Sequence, residues 1–253
     1  MNPVVRIIGT GEAMTSAADA AVVIDVLRAF TVTPMLYVRG ARTVWLATDE
    51  ANALATARRL RATRPVVVAL KDGPPAPGFG LVNSPGRVAQ LDLTDHDVVQ
   101  TTANGTRGVL ALAGVPLVLA GSLVNASATA AVVREAGPRR VHLVVTGASG
   151  TADEDVACAE LIRARLLGNQ VDQRALVERV RASQAAQDLA AGLDASFPGV
   201  HADDVRLACQ VDSIDVALVR QHQRDLVLMR PVLVPGTRRT RRRGAAATPT
   251  ASG

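Results

Sequence analysis

Aromatic residues are nearly absent: one Trp, one Tyr and three Phe stand among 253 residues. Such a chain offers no row of rings on which bases or sugars could stack, and its core must be filled by Val, Leu, Ile and Ala. Cysteine is as scarce. Cys158 and Cys209 are the only two and supply no disulfide framework. The chain opens on the apolar run Val4 to Ile8 without a charged leader and cleavage site, so the expected compartment is a reducing cytoplasm. Charge is missing from Gly108 to Val133, a stretch long enough to cross a bilayer. Gly114, Pro116, Gly121, Ser122 and Asn125 divide it into a helix end, a buried strand and a new helix start, so no membrane span is predicted.

What is present is an aliphatic chain, 48% apolar, with a pI near 10.4. The basicity is local. Thr237 to Arg243 holds five arginines, and without them acids and bases balance at 23 each. Gly236 to Gly253 is Gly, Ala, Thr, Pro, Arg and one Ser with little to bury, and reads as a disordered Arg-rich tail over residues 236–253. An arginine run attracts phosphates without reading sequence, so no specific nucleic-acid partner is expected. Residues 1–235 fit one α/β domain, with two tightly joined subdomains as the alternative.

Short aliphatic and β-branched runs alternate with longer helical patterns, which predicts a layered α/β/α sandwich around a mostly parallel or mixed sheet. The predicted strands are Val4–Ile8, Ala21–Ile24, Thr43–Leu46, Val66–Leu70, Val98–Gln100, Leu117–Ala120, Val141–Val145 and Leu226–Met229. Helical spacing predicts helices over Asp49 to Thr63, Val124 to Glu135, and from a capping box at Thr151 and Glu154 to Gly168. Asp172 to Ala191 and Asp203 to His222 then read as two further helices, making the C-terminal portion helical.

In open α/β sheets, ligands bind beyond the carboxyl ends of strands. Four strand ends here carry polar, amide-exposing sequence: Asp25 to Arg28, Thr101 to Thr106, Gly121-Ser122 and Thr146 to Gly150. Such loops suit an anion like phosphate, whose oxygens accept bonds from backbone N–H groups without needing lysine, and lysine occurs only at Lys71. Asp25 offers a hard oxygen ligand for Mg²⁺ and Arg28 a planar donor for phosphate, unless Asp25 only caps the next helix and Arg28 pairs with it. Asn83-Ser84-Pro85 is a turn into a helix, read either as site or as cap. Glu154 and Asp155 follow the Gly147 to Gly150 loop at the same predicted edge, where a divalent ion would find further carboxylates, although acids are also favoured in any first helical turn.

Several motifs occur in one order: Asp25-Val26-Leu27-Arg28-Ala29-Phe30, Gly78-Phe79 before Asn83-Ser84-Pro85, Thr101-Thr102-Ala103-Asn104-Gly105-Thr106, Gly121-Ser122 with Asn125-Ala126, and Glu154-Asp155 with Cys158-Ala159. On these motifs the chain resembles the 2-phosphosulfolactate phosphatase family, over roughly Asp25 to Pro231. The resemblance implies a Mg²⁺-dependent hydrolysis of 2-phospho-3-sulfolactate to 3-sulfolactate and phosphate, a step of coenzyme M biosynthesis, on an α/β fold. It implies a site lined by Asp25, Asn83, Ser84, Thr102, Asn104, Thr106, Glu154 and Asp155. On chemical grounds metal binding falls to Asp25 with Glu154 or Asp155, and anion binding to Arg28, Asn104, Thr106 and the loop amides; the expected catalytic residues are Asp25, Glu154 and Asp155, and Asn83, Ser84, Thr101, Thr102 and Gly105 complete the expected phosphate-binding set. The partner implied is a small phosphorylated, sulfonated organic acid, and a homo-oligomer stays open. The chain departs from the family pattern at Leu70-Lys71-Asp72-Gly73, at Gly80 and at the extra Ala103.

Two other readings are distinct in chemistry. Asp25, Lys71 and Cys158 stand in the order of the isochorismatase-like cysteine hydrolases, but Cys158 falls inside a predicted helix rather than at a strand-to-helix elbow. A non-catalytic anion-binding relative is the other. The haloacid-dehalogenase pattern fails because Leu27 occupies the position of its second Asp, and the cysteine phosphatase pattern fails because four residues, not five, separate Cys158 from Arg163. His96, His142, His201 and His222 show no metal-ligand spacing.

Overall fold

The computed structural model describes residues 2–64, 66–192 and 199–235; the Arg-rich segment 236–253 lies outside them. Its aliphatic runs form ten strands: β1 (Val4–Gly9), β2 (Ala20–Ile24), β3 (Thr43–Leu46), β4 (Val66–Lys71), β5 (Phe79–Val82), β6 (His96–Thr101), β7 (Leu117–Gly121), β8 (Arg140–Val145), β9 (Val216–Gln223) and β10 (Leu226–Leu233). The α-helices are α1 (Thr10–Thr15), α2 (Ala29–Val38), α3 (Glu50–Arg61), α4 (Pro85–Val88), α5 (Gly105–Ala111), α6 (Ala126–Ala136), α7 (Asp153–Leu167), α8 (Gln173–Ala182), α9 (Gln184–Ala191) and α10 (Asp204–Ala208). No helix among the described residues is long and apolar enough to cross a membrane.

All ten strands belong to one sheet in the order β1-β8-β2-β7-β9-β10-β3-β6-β4-β5. Neighbours are parallel except around the β9–β10 hairpin, which pairs antiparallel to β7 on one side and to β3 on the other. The hairpin therefore joins two parallel half-sheets whose strands run in opposite senses. In a flat sheet the carboxyl ends of β2 and β6 would lie at opposite edges. Five strand steps separate them, and a twist of roughly 20–25° per step turns one half against the other by about 100–125°. The two ends meet: the Gly105 N–H, just past β6, donates to Asp25 Oδ2, just past β2, at 2.9 Å.

β2 shows how the layers are built. Every residue of it is buried, as expected of a strand covered on both faces. Ala20, Val22 and Ile24 pack with residues of α6 and α7, while Ala21 and Val23 pack on the other face with Phe30 and Val109 of α2 and α5. Each fully buried Val, Ile or Leu contributes roughly 1.5–3 kcal/mol. In both layers this packing fixes the strand from which Asp25 projects.

Several elements differ from the sequence expectation. Residues 203–222 are not one helix: α10 ends at Ala208, and Val216–Gln223 is a strand whose Ala217, Leu218 and Val219 are buried against β7 and β10. Asp172 to Ala191 is two helices broken at Ser183, whose hydroxyl oxygen accepts from Ala186 N at 3.3 Å and starts α9. The capping box at Thr151 does not form; its hydroxyl donates back to the Ala148 carbonyl at 2.8 Å, and α7 begins at Asp153. The helix α2 had no sequence signature because it is buried almost all round, with Thr31 and Thr33 donating to the carbonyls of Val26 and Ala29, both at 2.8 Å.

Candidate active site

Asp25 leaves the end of β2 with both oxygens committed. Oδ1 accepts from Ala29 N at 2.9 Å, capping α2, and Oδ2 accepts from Gly105 N at 2.9 Å. A side chain at 105 would bring its Cβ to 2.8 Å from Asp25 Oδ2, so glycine alone permits this approach. Arg28 does not pair with Asp25. Its Nη1 donates to the Gly199 carbonyl at 2.7 Å and to Asp204 Oδ2 at 2.9 Å.

Asp72, at the end of β4, plays a matching part. Oδ1 accepts from Asn83 Nδ2 and Oδ2 from Ala103 N, both at 2.7 Å. Asn83 is buried, and its Oδ1 has no hydrogen-bond partner. An amide oxygen left dry and unmatched is costly unless a ligand completes it. Ser84 caps α4 through Arg87 N at 3.3 Å and donates to Asp204 Oδ1 at 2.7 Å. Within the loop after β6, Thr102 Oγ1 donates to Thr106 Oγ1 at 2.9 Å and accepts from Thr106 N at 3.0 Å, which stiffens the chain around Asn104 and Gly105.

These residues enclose a cavity of about 310 Å³ bounded by Asp25, Leu27, Arg28, Asp72, Asn83 and Asn104, with Ala185, Asp188 and Leu189 of α9 as its far wall. Thr101 and Thr102 face a neighbouring cavity of about 430 Å³, which shares Asp72. Ser84, Gly105 and Thr106 do not line the first cavity and stand behind it. Asp155 also stands behind it, accepting from Val26 N at 2.8 Å and from Gly147 N at 3.1 Å and so tying α7 to the ends of β2 and β8. Glu154 is buried beside it.

The acids are charged against their surroundings. Burial, reinforced by the negative charge of Asp72, pushes Asp25 up to about 6. Burial and then the charge of Asp25 hold Asp155 well above the usual carboxylate range, and burial raises Glu154. The one arginine in the wall is already paired with buried Asp204. Such a cavity has surplus negative charge and oxygen donors, the surroundings a hard cation neutralises. Among the described residues no three His, Cys, Asp or Glu are grouped to hold a metal. Mg²⁺, however, is commonly held by one or two carboxylates with waters and substrate phosphate completing the shell. Asp25, Asp72 and the orphaned Asn83 Oδ1 fit that smaller donor set.

Asp72 and Asp204 were missing from the sequence-derived site. Asp72 carries the same signal as Asp25, an acid at a strand's carboxyl end. Asp204 gave none, since it accepts from Ser84 Oγ, Gly86 N, Arg28 Nη1 and His201 N, partners remote in sequence or set by loop geometry. Cys158 lies fully buried in the core with its thiol pushed up by burial, so no thiolate is available to a cysteine-hydrolase chemistry.

Residues 10–223 match the family model described as 2-phosphosulpholactate phosphatase. A probable 2-phosphosulfolactate phosphatase of Bacillus subtilis (strain 168) is 32% identical over 173 residues, covering 67% of this chain and 74% of that protein. A protein of the same description from Thermoplasma acidophilum is 34% identical over 166 residues, covering 65% and 73% respectively. The match takes in both strand ends that meet at Asp25 and the β4 end that supplies Asp72, and this chain belongs to the 2-phosphosulpholactate phosphatase family of phosphoric monoester hydrolases.

Proposed function

We propose that this chain is a Mg²⁺-dependent phosphatase of a small phosphorylated organic acid, 2-phospho-3-sulfolactate being the substrate its relatives' names give, with 3-sulfolactate and phosphate as products. The observation that carries the reading is the meeting of Asp25, Asp72 and Asn83 at one cavity whose wall also holds Arg28, with the buried Asn83 Oδ1 left without a hydrogen-bond partner. In this reading Asp25, Asp72 and Asn83 hold the ion. When bound, Mg²⁺ supplies charge neutralisation at the phosphoryl oxygens.

The remaining work falls to side chains and amides. Arg28 and Asn104 donate to phosphoryl oxygens and orient the ester, with Asp204 keeping the guanidinium in place. Thr102 and Thr106 brace the loop that carries Asn104. Asp155 and Glu154 act as positioning residues, since Asp155 fixes the backbone that follows Asp25. Water attacks phosphorus, the P–O bond to the alcohol carbon's oxygen breaks, and the proton ends on the departing alkoxide. Leu189 and Ala185 of α9 form an apolar part of the cavity wall.

Phosphate release from 2-phospho-3-sulfolactate and a panel of phosphomonoesters tests this. With Mg²⁺ present the wild-type chain should turn over the sulfonated ester, and chelation should stop it. Asp25→Asn and Asp72→Asn should each lower kcat/KM by at least about 100-fold. Release that survives both chelator and both substitutions, or no release from any ester, would overturn the reading.

A further inference from the structure

The second cavity, about 430 Å³, is lined by Asp49, Glu50, Lys71, Thr101, Thr102 and Arg107, and Asp72 stands in its wall as in that of the Asp25 cavity. Asp72 is pinned on both oxygens, so it is a fixed partition between the two. Asp49 is likewise engaged, accepting from Asn52 N at 2.8 Å and from the Thr48 hydroxyl at 2.9 Å. The two cations are differently placed. Arg107 makes no ion pair among the described residues. Lys71, the only lysine of the chain, keeps its side chain 13% exposed and meets Glu50 Oε1 at 2.8 Å, while Glu50 is 55% exposed.

We propose that this chamber is the subsite for a second anionic group of the substrate, a carboxylate or sulfonate, read by Lys71 and Arg107 while the phosphate occupies the Asp25 cavity. The proposal rests on the phosphatase reading and deepens it. Glu50 holds Lys71 when the chamber is empty. A pair with one half-exposed partner is weak and screened, so an arriving anion replaces Glu50, which returns to water, and gains a charge-assisted bond to a mostly buried ammonium. Arg107, whose charge Asp49 feels without forming an ion pair with it, supplies the second contact. This gives a role to both charged residues of the Leu70-Lys71-Asp72-Gly73 segment: Asp72 serves one cavity and Lys71 the other.

Phosphoglycolate and ethyl phosphate are a matched pair of probes, both primary phosphomonoesters on a two-carbon chain, one with a carboxylate and one without. The readout is the ratio of their kcat/KM values with Mg²⁺ present. Lys71→Met and Arg107→Gln should each lower that ratio about tenfold, Lys71→Arg should restore most of it, and Glu50→Gln should raise it. An unchanged ratio in Lys71→Met and Arg107→Gln overturns the subsite. If neither ester is hydrolysed, turnover of 2-phospho-3-sulfolactate decides the phosphatase reading on its own, and calorimetric binding of phosphoglycolate against ethyl phosphate decides the subsite. A preference for phosphoglycolate that Lys71→Met abolishes supports it, and equal affinities refute it. Should Lys71→Met fail to fold, Glu50→Gln and Lys71→Arg carry the same comparison.

Discussion

At Asp25 one carboxyl group serves two purposes that pull against each other. Its oxygens accept backbone amides that join β2 to α2 and α5, while burial and the charge of Asp72 push it up to about 6. A folded value above the unfolded one, near 3.9, means that the folded chain holds this proton more tightly. Without metal, Asp25's contribution to stability therefore falls as pH rises from about 4 to 6 and stays at the lower level above that. With Asp25 holding Mg²⁺ as proposed, proton and metal would compete for the same oxygens. Metal titration by calorimetry should show affinity weakening by up to about tenfold per pH unit below 6, and an affinity flat between pH 5 and 7 would remove Asp25 from the ion's ligands. Asp204 has no such conflict. Buried and satisfied by four donors, it should be expensive to remove: Asp204→Ala strands Arg28, Ser84 and Gly86 and is expected to lose about 3–5 kcal/mol in urea unfolding. A loss below about 1 kcal/mol would show that water replaces it. Asp25 was legible because a carboxylate ending an apolar run is conspicuous. Asp204 was not, because its importance lies in contacts that span up to 176 positions.

Elements were legible in proportion to how far local pattern decides them. The buried runs of β2, β7 and β8 need no partner to be recognised, and the stripe of α3 with arginines opposite is equally plain. Val216–Gln223 failed because its apolar residues suit a helix as well as a strand, and only insertion between β7 and β10 chooses. Ser183 failed in the opposite way: a single hydroxyl breaks a continuous helical pattern and redirects it as α9, which then presents Asp188 and Leu189 to the cavity. Ser183→Ala should lose the cap, about 1 kcal/mol, and loosen the cavity's far wall. The expected signature is a raised KM larger than the loss of stability explains, measured beside a thermal melt. An unchanged KM would confine Ser183 to a structural cap.

For the whole molecule, the decisive arrangement is the pairing of two oppositely directed half-sheets through the hairpin of β9 and β10. Local sequence carries no trace of it, since β1 pairs with β8 and β7 pairs with β9 across long stretches of chain. Yet the active site depends on it, because Asp25 comes from one half and Asp72 with the Asn83 and Gly105 segments from the other. Stability should be unevenly spread in consequence. β2, β7 and β8 are buried along most or all of their length, whereas the hairpin's outer end, Gln221 to Arg224, is exposed. Native-state hydrogen exchange should find the β2 and β8 amides opening only with global unfolding, and those at the hairpin's outer end opening at a small fraction of that free energy. Since β9 and β10 are the bridge between halves, the inner hairpin amides at Ala217 to Val219 should exchange with the global set. If they open well below it, the half-sheets separate before either unfolds, and the cavity between Asp25 and Asp72 opens with them.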